Sequence, residues 1–477
     1  MHSQQHLHAE APSASASWTM LLPAVPALAI ALLWWPSLPA SFQFDDWNVI
    51  VNDARLRSLD AWWQSMPGIR PLLKLSYAFN IAIDMSPVGF RAVNVLIHAI
   101  SATLVCWLLR VRGLRAGLAT SIATRAALLA ALLFAMHPVQ TEAVTYISGR
   151  SSSLAACFCL LSLCCWVRGE ESTDARRSLV WLAACSATFI AAVACKETAL
   201  VLPAALLLYS ADRPLPTTLK RLTPLLAFTV LMLLVAFSLP TYRYLLCVSL
   251  DTRTLAENVL TQARALVYLA GQLVRIDNGN ADPQLAVITD VDLLSSVLCL
   301  GWLALLIGAL LRIRKAPVHA FAVLWFLLWL APTNSLLPRL DVANDRQLYL
   351  ALIGPAWWLA VRVASWQRNQ PALGHVAVVL LLAPLSYATF QRNRIYETEI
   401  TFWQDTVARN PLSARAANNL GMAYALECRV DDAIVQFERA IDLDREDYRA
   451  IINLRLLRQG ALPGVDPGRC RRLPAYF

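Results

Sequence analysis

Charged residues are scarce in this chain of 477 residues, since Asp, Glu, Lys and Arg together make up only 15% of it. Soluble globular proteins carry about 25% charged residues, so this scarcity excludes an ordinary soluble domain. Hydrophobic residues reach 57% and the mean hydropathy is +0.50. The composition therefore predicts an all-α polytopic membrane helix bundle. The formal net charge of +9 does not indicate nucleic acid, because membrane proteins concentrate Lys and Arg in cytoplasmic loops.

Several familiar signatures are missing as well. The 11 cysteines contain no Cys-x-x-Cys pair, so neither a zinc site nor a redox motif is indicated. Three of them, Cys247, Cys428 and Cys470, are candidates for the outer side, and a disulfide among them is left open. The first 17 residues contain no Lys or Arg, whereas a cleaved signal peptide begins with a basic region. We therefore expect a disordered tail over 1–18 and a retained first helix.

Long apolar runs dominate the rest of the chain, over 19–391. A membrane-spanning helix needs about 20 apolar residues, and on that measure we expect about eleven spans. They lie near 19–40, 88–109, 126–140, 153–167, 178–195, 197–210, 222–240, 288–311, 317–332, 347–366 and 372–390. Short runs bounded by Pro, notably 126–140 and 197–210, are typical of helices that end beside a cavity.

The distribution of Lys and Arg between the loops predicts the orientation of the bundle. Alternate loops are short and basic, which is typical of the cytoplasmic side. The longer, mixed loops 41–87, 241–287 and 333–346 are then expected on the outer side, together with the chain after the last span. The lack of a cleaved signal peptide and the retained first span favour a bacterial inner membrane with the C-terminal region in the periplasm, and an internal eukaryotic membrane fits the same topology.

The composition changes to that of soluble helices from residue 392 onward. In a 34-residue frame that starts at Ala414, small and large apolar residues fall at the positions of a tetratricopeptide (TPR) helix-turn-helix. They are Leu420, Gly421, Tyr424, Ala433, Phe437 and Ala440. We therefore predict a short extracytoplasmic TPR module over 392–461, followed by a tail over 462–477. Such a module is expected to pack on the membrane domain or on a partner.

A set of motifs occurs in a fixed order along the chain. The set is F-D-D-W after the first run, H-P-V-Q-T-E-A-V followed by G-R-S-S, then C-K-E-T-A, N-S-L-L-P-R-L-D-V-A-N-D-R-Q-L-Y-L and the terminal TPR unit. Together these motifs resemble the transmembrane-and-TPR protein O-mannosyltransferase (TMTC) family and, more widely, the GT-C membrane glycosyltransferases. The resemblance implies a multi-span fold with its active site on the outer face. It also implies a polyprenyl-phosphate-linked sugar as donor and a protein hydroxyl as acceptor.

Asp45 and Asp46 are the predicted catalytic residues, because paired carboxylates beside hydrocarbon are costly unless they serve a function. The resemblance places the catalytic acid of the family at this pair. A partly desolvated carboxylate can accept the proton of an acceptor hydroxyl, and Asp45 is preferred because Asp46 is also suited to capping the next helix. The alternative is that both residues are helix caps at the membrane surface.

Three cations are predicted to bind the donor phosphate: Arg150, Lys196 and Arg346. Arg and Lys both stabilise the charge that develops on a leaving phosphate. For Lys196 the alternative is an ion pair with its neighbour Glu197 that closes a tight turn. For the loop around Arg346 the alternative is a solvated connector.

His137, Glu142 and Tyr349 are predicted to shape the pocket for the sugar or the acceptor. Pro138 should end a helix, which would leave His137 and Glu142 at its outer mouth. Tyr349 lies one helical turn after Arg346, so both can line one wall. For His137 and Glu142 the alternative is a hydrogen-bonded pair at a helix end.

The predicted function is a membrane glycosyltransferase that moves mannose or another hexose from a polyprenyl phosphate to a protein or other hydroxyl, with inversion. No Gly-rich phosphate loop is visible, so the donor is expected to be lipid-linked rather than a nucleotide sugar. No metal is predicted, although a divalent cation at Asp45 and Asp46 is left open. The alternatives are a non-catalytic membrane scaffold that recruits a partner through its TPR module, and a carrier for a lipid or small anion.

Overall fold

The computed structural model describes residues 24–66, 68–277, 279–283 and 285–465. These ranges contain α-helices, short 3₁₀ or π-helical segments and turns, with no β-strand, which confirms the predicted all-α fold. The predicted tail over 1–18 and most of the tail over 462–477 lie outside the described residues.

The chain first forms helices α1 to α8: Ala24–Trp34, Leu59–Gln64, Pro71–Ile83, Pro87–Arg115, Thr120–Met136, Thr141–Val144, Arg150–Glu171 and Ala175–Cys195. Helices α9 to α17 follow: Leu202–Tyr209, Leu215–Ser238, Pro240–Thr252, Leu255–Gln272, Leu293–Arg312, Pro317–Leu330, Leu348–Ala351, Ile353–Asn369 and Pro371–Ile395. The C-terminal helices α18 to α21 are Glu399–Arg409, Ala414–Leu426, Val430–Leu443 and Tyr448–Arg458. Short 3₁₀ or π-helical segments are Trp35–Ser37, Trp47–Val51, Ala54–Leu56, Pro138–Gln140, Ile147–Gly149, Glu197–Val201 and Asp345–Gln347.

Each predicted span coincides with an apolar helix. In the described residues six helices are long and apolar enough to cross a membrane, and two bent pairs raise this number to eight. The other three predicted spans correspond to shorter apolar helices, at Ala24–Ser37, Glu197–Tyr209 and Pro317–Leu330. The chain is thus an integral multi-pass membrane protein, and the total of eleven spans stays a prediction.

Two broken helices bring distant parts of the sequence together. Thr120–Met136 is bent by 55° against Pro138–Val144, because Pro138 has no N–H to continue the helix. Asp345–Ala351 is bent by 53° against Ile353–Asn369. The two short arms meet, and the backbone N–H of Arg346 donates to Glu142 Oε2 at 2.9 Å.

Helix α5 lies at the centre of the bundle, where it packs against α4 and α16. The buried face of α5 is rich in alanine, including Ala126, Ala127, Ala130 and Ala131, which are all fully buried. Small side chains let neighbouring helix backbones approach closely in a membrane protein, where lipid supplies no strong hydrophobic drive for helix association.

The two ends of the bundle differ in chemistry. At one end the basic loops lie together, since Arg115 pairs with Glu170 at 2.7 Å and Arg221 Nη1 donates to the carbonyl of Gly169. At the other end of α4, the buried Arg91 donates to the carbonyls of Ala40 and Ser41 and so anchors the start of the first loop.

The C-terminal helices form a small unit on the non-basic end of the bundle. Helices α19 and α20 pack as a hairpin in which a Cβ on Gly421 would meet the Phe437 ring at 2.7 Å. A small residue at this position is what the TPR pattern requires. In the turn between these helices Cys428 is disulfide-bonded, whereas Cys247 is free and Cys470 lies outside the described residues.

Candidate active site

The loop that follows α1 is tied to the junction between α17 and α18. Ser41 N–H donates to the carbonyl of Glu397 at 3.0 Å, and Gln43 Nε2 donates to the carbonyl of Tyr396. Glu399 Oε1 accepts from Phe44 N–H at 2.9 Å and from Trp47 Nε1 at 3.3 Å. The membrane domain and the C-terminal helices therefore hold this loop jointly.

Phe44 has a positive φ of 45°, a conformation that residues other than glycine rarely adopt. Such strain persists only where surrounding contacts enforce it, and it concentrates at functional sites. Here the hydrogen bond from Phe44 N–H to Glu399 holds the backbone in this conformation, and the next residue, Asp45, is oriented by it. Asp45 is half-buried, and within the described residues no side chain or backbone group donates to its carboxylate.

Asp46 has the opposite environment, because its side chain is fully buried. One oxygen accepts from the N–H and hydroxyl of Ser148, at 2.8 and 2.6 Å, and the other accepts from Gln43 N–H at 3.1 Å. Burial raises the pKa of Asp46 to about 6, although these hydrogen bonds and the nearby Arg91 act to lower it. Asp46 thus joins the first loop to the turn that precedes α7.

Asp45 lines a cavity of about 220 Å³, which we call the Asp45 cavity. Its membrane-domain wall contains Glu142, Tyr146 and Arg346, and its other wall contains residues of the C-terminal helices, including Trp403. The Tyr146 hydroxyl accepts from Asp45 N–H at 3.1 Å, so its own proton remains available to donate. Burial and the neighbouring carboxylates raise the pKa of Tyr146, which keeps the phenol protonated.

Arg415 on α19 fixes the remaining wall of the Asp45 cavity. It pairs with Asp282 and also with Asp341, the latter at 3.0 Å, so one side chain bridges two loops of the membrane domain. The carboxylates raise the pKa of Arg415 despite its partial burial. The C-terminal helices therefore form part of the wall of the Asp45 cavity.

A second, smaller pocket of about 50 Å³ lies on the other side of Arg346, and we call it the Lys196 pocket. Lys196 Nζ donates to Ser152 Oγ at 2.7 Å, and Tyr349 lines the same pocket. Tyr349 is buried and its hydroxyl bonds to His98 Nδ1 at 2.8 Å. The structure thus brings Lys196 and Arg346, two of the three predicted phosphate ligands, to one pocket together with Tyr349, which was predicted to line the sugar or acceptor pocket.

Lys196 is not paired with Glu197, so the alternative of a mutual ion pair is not what the structure shows. Glu197 instead accepts from Arg70 at 2.9 Å and from the Tyr242 hydroxyl at 3.2 Å. In the described residues, the Arg346 side chain has a single ionic contact, with Glu142 at 3.5 Å. Lys196 and the outer guanidinium nitrogens of Arg346 therefore retain donors for an anion.

Three predicted residues line neither cavity: Asp46, described above, Arg150 and His137. Arg150 is fully buried, and its guanidinium donates to Asn94, Asn80 and the carbonyls of Phe90 and Ser76. With its donors used inside the protein, Arg150 supports the packing of α3, α4 and α7. His137 is buried at the break of α5, where Nδ1 accepts from Val139 N–H and Nε2 faces the carbonyl of Leu273.

Sequence reasoning missed Tyr146 and Arg415, which both line the Asp45 cavity. Tyr146 lies between the motifs H-P-V-Q-T-E-A-V and G-R-S-S, and the sequence around it does not distinguish it from a tyrosine of the hydrophobic core. Arg415 lies on α19, in the segment where the TPR pattern was predicted, and the sequence around it gives no sign that it contacts the membrane domain. Within the described ranges no three His, Cys, Asp or Glu side chains gather as metal ligands would.

The chain is similar in sequence to protein O-mannosyl-transferases of animals. Protein O-mannosyl-transferase Tmtc3 of Drosophila melanogaster is 24% identical over 517 residues, which cover 90% of this chain and 55% of that protein. Protein O-mannosyl-transferase TMTC3 of Homo sapiens is 23% identical over 89% of this chain and 52% of its own length. Human Protein O-mannosyl-transferase TMTC4 is 35% identical over a shorter stretch, 34% of this chain.

The chain thus spans about half the length of the TMTC3 relatives it matches. No family model matches the chain, and no solved structure matches it. The two long matches extend over 90% and 89% of the chain. The chain is therefore a relative of the TMTC protein O-mannosyl-transferases, and the resemblance inferred from its motifs is confirmed.

Proposed function

We propose that this protein is a membrane glycosyltransferase of GT-C type that moves a hexose, mannose first among the candidates, from a polyprenyl phosphate to a protein hydroxyl. The relatives named above are called protein O-mannosyl-transferases, which supports both the reaction class and a protein acceptor. The site geometry supports the same reaction, because a candidate base and two candidate anion ligands lie at adjoining cavities.

Asp45 is the proposed general base. The acceptor oxygen attacks the anomeric carbon of the sugar, and its proton passes to the Asp45 carboxylate. The bond between that carbon and the phosphate oxygen breaks, and the electron pair leaves with the polyprenyl phosphate. One in-line displacement of this kind inverts the anomeric configuration. Tyr146 supports Asp45 by accepting from its backbone N–H.

Lys196 and Arg346 are the proposed ligands of the donor phosphate. Their free donors face a pocket that also contains the Ser152 hydroxyl. Charge-assisted hydrogen bonds to a phosphate strengthen as negative charge develops on the leaving oxygen, so they stabilise the transition state more than the bound donor.

The observation that carries the proposal is the position of Arg346, which lines both the Asp45 cavity and the Lys196 pocket. A sugar whose phosphate is held at Lys196 and Arg346 would extend past Arg346 towards Asp45. Glu142, which pairs with Arg346, holds this side chain at the boundary.

The location of the site on the outer face is part of the proposal. The basic loops gather at the opposite end of the bundle, which is typical of the cytoplasmic side. The Cys428 disulfide supports an oxidising compartment for the C-terminal helices. A bacterial inner membrane stays a prediction from topology, and the curated relatives named above come from fly and human.

The experiment is an in vitro transfer assay with purified protein, a hydroxyl-bearing peptide and either mannosyl polyprenyl phosphate or a nucleotide-linked mannose. Transfer is expected only from the lipid-linked donor. Lys196→Gln should raise the KM for that donor and lower kcat, whereas Lys315→Gln, at an exposed position in a basic loop, should change neither. Failure of the unsubstituted protein to transfer sugar from either donor would overturn the proposal in favour of the scaffold.

A further inference from the structure

The first helix of the C-terminal unit, α18, contacts the loop that carries Asp45. Its first residue, Glu399, accepts two hydrogen bonds through one oxygen, Oε1. The donors are Phe44 N–H at 2.9 Å and Trp47 Nε1 at 3.3 Å, which lie on either side of the Asp45–Asp46 pair in the sequence. One carboxylate oxygen, about 350 residues further along the chain, therefore holds the loop both before and after the proposed base.

A second residue of α18 contacts the same part of the loop. Trp403 lies one turn after Glu399, on the same face of the helix. Its ring meets the Phe44 ring edge to face, with the ring centroids 5.2 Å apart and the planes at 79°. Phe44 is thus held by its backbone N–H and by its ring, which explains how its costly positive φ of 45° persists.

The position of the Asp45 carboxylate depends on the backbone at Phe44. Within the described residues this carboxylate accepts no hydrogen bond, so no partner group fixes the side chain directly. A general base acts only when it lies within hydrogen-bond reach of the proton that it removes, at about 2.6–3.2 Å between heavy atoms. A misplacement of about 1 Å can lower the rate by a factor on the order of 10². The backbone conformation at Phe44 is therefore expected to affect catalysis.

The C-terminal unit has other contacts with the membrane domain that do not involve Glu399. Arg415 on α19 pairs with Asp282, and Arg392 on α17 pairs with Asp405 on α18 at 2.9 Å. These ion pairs join the same two parts of the protein at other places. Loss of the Glu399 hydrogen bonds should therefore release the loop and leave the C-terminal unit docked.

We propose that Glu399 is a positioning residue for the base, which holds the backbone at Phe44 and thereby places the Asp45 carboxylate at the acceptor hydroxyl. The inference rests on the proposed function for the role of Asp45. It gives the C-terminal unit a part in the transfer step itself. The alternative is that Glu399 only stabilises α18, because an acidic residue in the first turn interacts favourably with the helix dipole.

The first test separates the reach of the side chain from its charge. Glu399→Asp keeps the charge at the start of α18 but withdraws the carboxylate by one methylene, about 1.5 Å. Glu399→Gln removes the charge but keeps an amide oxygen that can accept both hydrogen bonds. We expect Glu399→Asp to lower the kcat for sugar transfer by ~10-fold or more at an unchanged KM for the donor, and Glu399→Gln to keep kcat close to that of the unsubstituted protein. A larger loss in Glu399→Gln than in Glu399→Asp, or equal kcat in all three proteins, would overturn the proposal.

Glu397→Asp is the matched control. Glu397 is an exposed acid two residues earlier, and its side chain lies 3.7 Å from that of Arg394. The same shortening at this position should change neither kcat nor KM. A loss of kcat equal to that of Glu399→Asp would contradict a specific role of Glu399.

The second test measures hydrogen–deuterium exchange and does not require transfer. Glu399→Asp should accelerate backbone amide exchange in 42–48 and leave exchange in 414–443 unchanged, whereas Glu399→Gln should leave both unchanged. Unchanged exchange in 42–48 of Glu399→Asp would overturn the proposal. Acceleration throughout 399–458 would also overturn it, because it would assign Glu399 to the stability of the C-terminal unit.

The two tests separate failure of the inference from failure of the proposed function. If the unsubstituted protein transfers no sugar, the proposed function fails, and the exchange measurement still decides whether Glu399 holds the loop. If the unsubstituted protein and Glu399→Asp transfer sugar with equal kcat, the proposed function stands and the inference fails.

Discussion

Asp45 and Asp46 are adjacent carboxylates with unlike surroundings, and substituting each by Asn separates a base from a positioning residue. Asp45 is half-buried and faces the Asp45 cavity, whereas Asp46 is fully buried and accepts three hydrogen bonds. We expect Asp45→Asn to remove activity at unchanged stability, and Asp46→Asn to change how stability depends on pH.

The effect of Asp46 on stability follows from its raised pKa. The pKa is about 6 in the folded protein against 3.8 in the unfolded chain, because burial disfavours the charged form. The folded state therefore holds the proton more tightly. The contribution of Asp46 to the free energy of unfolding is fully present below about pH 4 and is lost as the pH rises through 6. A difference of about two pKa units corresponds to about 3 kcal/mol at 1.36 kcal/mol per unit.

Asn does not titrate, so this component should be absent from the Asp46→Asn variant. The free energy of unfolding, measured by SDS titration in mixed micelles from pH 4 to 7, should fall less in this variant than in the unsubstituted protein. The difference should be of the order of 3 kcal/mol across that range. Other carboxylates titrate in both proteins and cancel in the comparison.

Asp45→Asn should lower the rate of transfer by a factor on the order of 10²–10⁴, the usual contribution of a positioned base. The assay is sugar transfer to a peptide, at matched protein concentration and with the unfolding free energy measured in parallel. Near-normal transfer by Asp45→Asn, together with complete loss in a stable Asp46→Asn protein, would refute the assignment and make Asp46 the base.

Three further predictions concern residues around the site. Arg150→Gln should lower the free energy of unfolding by about 3 kcal/mol or more, because it leaves several buried acceptors unpaired, while the KM for the donor in the folded fraction stays unchanged. Gly149→Ala should destabilise the protein by about 1–3 kcal/mol, since a Cβ there would clash with the backbone carbonyl oxygen of Glu142. Gly301→Ala is the control, because a Cβ there meets open space, and thermal melting compares the two variants. Arg415→Gln should accelerate backbone amide exchange in 279–283 and 340–344, because it removes the ion pairs with Asp282 and Asp341. Hydrogen–deuterium exchange measures this effect. Arg429→Gln is the control, because its ion pair with Asp432 is exposed, and it should leave exchange in both segments unchanged.

Much of the helical framework could be predicted from residue patterns. Apolar runs mark helices because a backbone in lipid must satisfy its own hydrogen bonds. Pro138 marked the end of α5 and the 55° bend that follows it, since proline has no N–H to continue the helix. The rule is not absolute, because Pro224 and Pro384 lie inside the continuous helices α10 and α17. These are local rules, and they need no knowledge of which helices become neighbours.

The candidate site could be predicted only in part. Asp45, Glu142, Lys196, Arg346 and Tyr349 do line the two cavities, because charges and polar groups at the ends of apolar runs are costly unless they face a polar space. Arg150 met the same sequence criterion as Arg346. The two arginines differ in how many buried hydrogen-bond acceptors surround the guanidinium group.

Asn80 and Asn94, from two other helices, occupy the Arg150 guanidinium, whereas the Arg346 side chain is left with Glu142 as its ionic contact in the described residues. The division of roles between Asp45 and Asp46 has the same origin. Asp46 is held by the backbone and hydroxyl of Ser148, about 100 residues further along the chain. Asp45 is placed by the contact of its neighbour Phe44 with Glu399, about 350 residues further along.

The sequence by itself therefore determined the fold class, the membrane embedding and the family resemblance, because periodicity, composition and ordered motifs are local properties of the chain. Only the tertiary structure decided which charges are satisfied internally and which face a cavity. It also placed Tyr146 and Arg415 in the Asp45 cavity. Hydrogen-bond satisfaction and burial depend on residues that are distant in sequence, and no local pattern records them.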